Sequence, residues 1–350
     1  MEPLAVVTRN DYIESIHYGY ICITNGAGKV LYELGNSNVS IFFRSSAKPI
    51  QVIPLLLSGA AQAFDFSLQE IALACASHSG QSIHQKTAQE ILNRLHLNPN
   101  HLHCGIMFPY NPEESKRLIQ NNEEPTVLHC SCSGKHAAML ALAAYQQLPI
   151  ETYESLEHPV QQQILQAIAN FAEMNPADIP VGIDGCGVPI YLLPIKKIAL
   201  SYANLINAAK DINHTCYHAA NIVVSAMQTY PEMVSGEGEF CTELMKHTHQ
   251  KLIGKVGSEA VYCMGIKEQD LGICIKIVDG SERAVYPVVL HLLKQLCILT
   301  EDEEKMLQPW LSSPLKNNLN EVIGSIIPVF NIQQPQNSPV LIGKHIKDIL

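Results

Sequence analysis

Residues 17–35, HYGYICITNGAGKVLYELG, decide how this chain is built. HYGYICIT (17–24) is rich in aromatic and β-branched residues, NGAG supplies a turn, and KVLYELG (29–35) resumes the apolar pattern, so the segment reads as two strands and a hairpin connection. Comparable strand character returns only near the other end, in SEAVYCMGI (258–266) and LGICIKIVDG (271–280). Between them the pattern is helical. PIQVIPLLLSGAA follows Arg44, TAQEILNRLHL (87–97) has amphipathic spacing, and KHAAMLALAAYQQ (135–147) is rich in helix formers. Behind Pro159, residues 159–172 align Val160, Ile164, Ile168 and Phe171 on one face, and further helices are expected at 195–208, 216–229, 240–251 and 284–298. Strands at both ends with helices between predict a mixed α/β (α+β) fold: one antiparallel sheet built from both chain ends, a helical middle lobe beside it, and a cleft between them.

Composition narrows the function. The chain has 350 residues, 47% hydrophobic and 16% charged, which is ample for a sizeable core. Thirty-three acids against 23 bases give a net charge of −10, which argues against a nucleic-acid partner needing a basic face. No apolar run approaches the ~18 residues of a bilayer span, so no membrane association is expected. MEPLAVVTRNDYIES lacks a basic segment followed by an apolar one, and the cytoplasm is the expected compartment. Eleven cysteines, an odd number without framework spacing, agree with a reducing setting, and most sit among apolar neighbours as small buried hydrophobes.

Four constellations could carry chemistry. In Arg44-Ser45-Ser46-Ala47-Lys48-Pro49, positions 45 and 48 share a helical face, and a serine beside a desolvated lysine amine is a nucleophile with its base. The same residues also suit a capping serine and a surface lysine. Ala76-Ser77-His78-Ser79-Gly80 follows an apolar run, where a turn can aim a hydroxyl into a cleft or simply cap the next helix. His129-Cys130-Ser131-Cys132-Ser133-Gly134-Lys135-His136 opens a helix, and with Gly185-Cys186-Gly187 it offers thiolates from two loops to a metal, or else a pair of reactive or buried thiols. Lys255-Val256-Gly257 partly matches the K-T/S-G strand that faces an S-x-x-K helix in serine acyl enzymes, although no S-D-N segment is present. His247-Thr248-His249 suits a solvated helix face better than a ligand pair. Gly26-Ala27-Gly28-Lys29 lacks phosphate-loop spacing, and Gly236-Glu237-Gly238-Glu239 is too acidic to cradle phosphate.

FFRSSAKPIQ, ACASHSG, HCSCSGKHAAML, GIDGCGVP, KVGSEAVY and GICIKIVDG occur here in an order that resembles the type of L-asparaginase first associated with Rhizobium etli. The resemblance runs over roughly residues 5–330. It implies a catalytic domain at 1–330, with the polar, proline-containing residues 331–350 as a C-terminal tail. It also implies a fold similar to glutaminases and serine β-lactamases, conversion of L-asparagine to L-aspartate and ammonia, and a homodimer. Two Ser-Lys tandems follow from it, Ser45 with Lys48 and Ser77 with Lys255, where Lys276 is the alternative to Lys255. The implied cofactor is zinc on Cys132, Lys135 and Cys186. A lysine ligates zinc only as the free amine, so the metal must displace its proton, and a helix N-terminus disfavours that ammonium. Arg44 and Asp184 are candidates for holding the substrate's α-carboxylate and α-ammonium, and His136 for orienting a ligand or substrate. Two other readings compete: a different Ser-Lys acyl enzyme, such as a glutaminase or β-lactam hydrolase, and a non-catalytic zinc or thiol sensor.

Overall fold

The computed structural model describes residues 1–311, 313–332 and 342–348. In chain order its strands are β1 Glu2–Arg9, β2 Tyr12–Asn25, β3 Val30–Leu34, β4 Ser40–Phe42, β5 Val181–Ile183, β6 Pro189–Pro194, β7 Leu252–Gly257, β8 Val261–Ile266, β9 Leu271–Ile277, β10 Ser313–Lys316 and β11 Val322–Pro328. Eight of them form one sheet in the order β10-β11-β1-β2-β9-β8-β7, with β3 also on β2, and every pairing is antiparallel. The expected α+β class is therefore present, with both chain ends supplying the sheet and helices filling the middle.

The 14-residue β2 is the spine. Its first half pairs with β1 and its second half with β3 on one edge, while Gly19–Asn25 runs along β9 on the other, with Cys22 opposite Cys274. Ile21, Cys22 and Ile23 are all buried, so both faces of this strand are covered, which explains why its sequence is a continuous apolar run rather than an alternation. The helix Ile195–Lys210 lies across β2, β8 and β9, and the helix Val285–Gln295 packs against β8, β9 and β11.

Several elements differ from the sequence reading. The helix expected at 240–251 ends at His247, because His249 and Gln250 adopt left-handed backbone with φ of 46° and 67°. Residues 252–257 then form β7, paired in register with β8, so Lys255 lies within a strand. The strands β1, β10 and β11 and the small sheet β4-β6-β5 lie outside the strands expected from the sequence. Of the expected tail, residues 342–348 return to the β1–β2 turn, where Ile13 N donates to Lys344 O and Ile346 N donates to Asp11 O. Residues 333–341 and 349–350 lie outside the described residues. Among the described residues no helix is long and apolar enough to cross a membrane.

Sheet and helix come into backbone contact at Gly272, where a Cβ would stand 1.9 Å from the Ala199 carbonyl oxygen. Neither backbone can yield without moving the helix off the sheet. Gly272→Ala should therefore destabilise the protein by about 1–3 kcal/mol, read as a lowered denaturant midpoint with an unchanged slope. A midpoint equal to wild type would mean that the layers are not in this contact.

Candidate active site

Two buried amines from separate segments meet one hydroxyl. The turn Arg44–Ala47 follows β4 and leads into the short helix Lys48–Gln51; the buried Tyr202 pins it by donating to the Ser46 carbonyl at 2.7 Å. Lys48 is 1% exposed. Its Nζ faces three acceptors, the Ala76 carbonyl, Ser77 Oγ at 3.0 Å and Cys132 Sγ at 3.2 Å, which matches the three N–H groups of an ammonium. Lys255, fully buried on β7, approaches the same Ser77 Oγ at 2.9 Å and donates to the Val256 carbonyl at 2.7 Å. Burial, reinforced by the neighbouring Lys48 charge, pushes the Lys255 pKa down from 10.5 to about 7.

Ser77 itself is placed by two backbone bonds around it, Ser77 N to Val234 O and Ser79 N to Ser235 O. Next to it, His78 is fully buried, and burial first and the neighbouring His84 second hold its pKa well below the usual value. Gly80 N donates to His78 Nδ1, which leaves Nε2–H to donate to Ser133 Oγ at 2.9 Å. A neutral imidazole thus ties the serine loop to the first turn of the helix Ser133–Tyr145.

That helix and the tight turn between β5 and β6 build a second cluster. Lys135 Nζ lies 3.1 Å from Cys186 Sγ, and Cys186 Sγ lies 3.6 Å from Asp184 Oδ2. Hydrogen bonds from Cys130 and Cys186 hold the Cys132 thiol well below its ordinary range against the cost of burial, aided by Lys48 and Lys135. The shared hydrogen bond with Cys132 and burial push Cys186 up. Burial opposes the Lys135 charge, yet Cys132, Cys186 and Asp184 together raise its pKa. The result is a buried ammonium beside a thiolate. The donor set suits a divalent cation: two thiolates and a neutral amine would balance its charge once protons leave Lys135 and Cys186. Among the described residues no group of three or more His, Cys, Asp and Glu side chains is placed to hold a metal, so such a site needs the lysine.

Lys48 and Ser45 stand three residues apart, but among the described residues no hydrogen bond joins them, and the Lys48 amine is spent on Ser77. Ser45 lines the same cavity as Ser77, a space of about 260 Å³. Lys276 donates to the Glu259 carbonyl, so it is Lys255 that meets Ser77. Arg44 pairs with Asp184 at 3.2 Å. His136 is buried with Nδ1 2.6 Å from the Tyr153 hydroxyl, while its Nε2 has no hydrogen-bond partner among the described residues. His247 bonds Glu243 on its own helix, away from both clusters. All eleven cysteines are free. Sequence reading missed Tyr153 and, in the cavity wall, Tyr110, Glu239, Glu282 and Tyr286. Only Glu239 lay in a segment singled out beforehand, and there its acidity was weighed against phosphate alone. A larger depression of about 550 Å³, between Gln228 and Gln250, contains none of the candidate catalytic, substrate or zinc residues, although His249 lines it.

A family model described as L-asparaginase II matches residues 5–328. No curated protein matches the chain. Among solved structures, a candidate β-lactamase from Bacteroides dorei is 10% identical over 79% of this chain and 93% of its own, with a TM-score of 0.41. A β-lactamase from Mycobacterium bovis is 9% identical over 84% of this chain and 95% of its own, also with a TM-score of 0.41. Both likenesses are distant, and the chemistry rests on this chain's own residues.

The depressed Lys255 pKa has a consequence for stability. The unfolded side chain keeps its proton up to about 10.5 and the folded one releases it near 7, so between those values the unfolded chain binds more protons and stability rises with pH. A Lys255→Met variant should therefore show its greatest gain over wild type at or below pH 7, shrinking towards pH 10, in denaturation midpoints. A difference that stays constant across that window would show that Lys255 titrates as an ordinary lysine.

Proposed function

This chain belongs to the L-asparaginase II family, and on that premise we propose that it hydrolyses the side-chain amide of L-asparagine to L-aspartate and ammonia through a serine served by a lysine pair. The observation that carries the reading is the Ser77 hydroxyl held between two buried amines, at 3.0 and 2.9 Å, in the wall of the cavity that Ser45 shares. Ser45 is the nucleophile in this proposal. Its hydroxyl carries no hydrogen bond among the described residues, stands in the cavity wall and is free to meet a substrate. Ser77 is engaged on both sides and is better suited to pass protons than to attack.

Ser45 Oγ adds to the amide carbon as its proton passes to the amine pair. In this proposal Lys255, whose pKa burial lowers to about 7, receives it through the Ser77 hydroxyl that both amines meet, and Lys48 is the donor. Ser77 delivers the proton to the amide nitrogen, the C–N bond breaks, and ammonia leaves a Ser45 ester. Water then adds to the ester carbon and loses its proton to the same relay, which returns a proton to Ser45 Oγ as aspartate departs. In this proposal Arg44, which pairs with Asp184, holds the substrate's α-carboxylate, and His136 orients a ligand or the substrate.

Zinc is the proposed cofactor, on Cys132, Lys135 and Cys186. When bound it would supply a fixed positive charge that positions or polarises the substrate. Free thiols throughout the chain support a reducing, cytoplasmic setting. The exposed apolar side chains Ile106, Phe108 and Tyr110, the last in the cavity wall, support pairing with a second copy of the chain.

Purified protein should release ammonia from L-asparagine in preference to L-glutamine. Ser77→Ala should lower kcat about 10²–10⁴-fold, as loss of a proton-transfer group does. Ser45→Ala should lower it further and abolish the acyl-enzyme seen by mass spectrometry of a quenched reaction. A Ser45→Ala enzyme with near-wild-type turnover would sink the assignment.

For the metal, elemental analysis should find about one zinc per chain in wild type and little in Cys132→Ala. Uptake by the stripped protein should release protons and tighten as pH rises. Equal zinc in both proteins would remove Cys132 from the site.

A further inference from the structure

The cavity holding Ser45 and Ser77 has a carboxylate wall that the reaction steps above leave unused. Glu239 and Glu282 both line it, and the lining contains no lysine or arginine side chain. Neither carboxylate has a hydrogen bond or ion pair among the described residues. Asp184, by contrast, is already engaged by Arg44 at 3.2 Å and lies against Cys186. Burial first, and the Glu282 charge second, raise the Glu239 pKa, as expected for two like charges facing one space without a cation.

A second feature of the same wall is independent of charge. Ser79 is 2% exposed, lines this cavity, and its Oγ has no hydrogen-bond partner among the described residues. A buried hydroxyl left without a partner carries an uncompensated desolvation cost, so one in a cavity wall marks where a ligand atom belongs. The space beside it is kept open by Gly236, whose φ of +135° and lack of a side chain matter here: a Cβ would stand 2.1 Å from Ser79 Oγ.

We propose that Glu239, Glu282 and the Ser79 hydroxyl form the subsite for a primary ammonium group, which on the asparaginase reading is the substrate's α-ammonium. Two carboxylates and a hydroxyl supply three acceptors for the three N–H donors of such a group. The α-ammonium of asparagine lies only a short way from the amide carbon under attack, so the cavity that holds Ser45 and Ser77 must also receive it. This inference rests on that reading, and it moves the ammonium role from Asp184, whose charge Arg44 already balances, to a pair of carboxylates with no hydrogen bond or ion pair among the described residues.

The test compares L-asparagine with succinamate, which is asparagine with hydrogen in place of the α-ammonium. Ammonia release gives kcat/KM for each, and their ratio does not depend on how much of a preparation is folded. Wild type should favour L-asparagine, and Glu239→Gln and Glu282→Gln should each cut that preference at least tenfold. Glu282 is exposed, so its replacement does not threaten the core. Glu282→Asp, which keeps the charge, should retain most of the preference. A wild type that hydrolyses L-asparagine, with both glutamine variants keeping its ratio within twofold, overturns the subsite and leaves the amidase reading standing. Loss of preference in Glu282→Asp as complete as in Glu282→Gln also overturns it, because charge is then not what is read. Wild-type protein that releases ammonia from neither compound removes both.

Discussion

The rest of the structure depends on keeping two lysine amines out of water and within reach of one hydroxyl. Lys48 and Lys255 are 1% and 0% exposed, and both meet Ser77 Oγ. Burial disfavours the charged amine, and the nearby Lys48 charge adds repulsion, which together push the Lys255 pKa down to about 7. The fold must hold this arrangement rigidly. Each amine is tethered to a backbone carbonyl, Lys48 to Ala76 and Lys255 to Val256, and the two come from different layers, a short helix and a sheet strand.

The thiol cluster is not a separate feature. Lys48 touches Cys132 at 3.2 Å, so the amine that serves Ser77 also stabilises the thiolate, and His78 fastens the Ser77 loop to the first turn of the helix that carries Lys135. A change at either cluster must be felt at the other, because they share a charge and an imidazole. Positive charge is thus concentrated behind the serines. The carboxylates of Glu239 and Glu282 lie in the cavity lining itself. A zwitterion with a polar amide side chain is complementary to such a division of charge, and a simple dicarboxylate is not.

Much of the site was legible because its chemistry is carried by short segments. Ser45, Lys48, Ser77, Cys132, Lys135, Cys186 and Lys255 all lie in runs of a few residues with unusual polar content inside apolar surroundings. Their partnerships were not legible. Spacing along a helix joins Ser45 to Lys48, whereas in space the Lys48 amine reaches across 29 positions to Ser77. Glu282 and Tyr286 had no signal at all, since an acidic residue and a tyrosine at the start of a helix look like any solvated turn. β7 was hidden by the preceding helix, whose end depends on two left-handed residues that carry no glycine.

By itself the sequence determined the class of the fold and the residue types of the chemistry. Apolar periodicity follows from which faces are buried, and β2 and β9 had to be covered on both sides. Only the tertiary structure decided which lysine meets which serine, that Lys276 lies on Glu259 and not on Ser77, and that two carboxylates share the cavity. The physical reason is that hydrogen bonding and charge repulsion act over a few ångströms of space, and residues such as 48, 77 and 255 become neighbours only when the sheet and the helical lobe pack together.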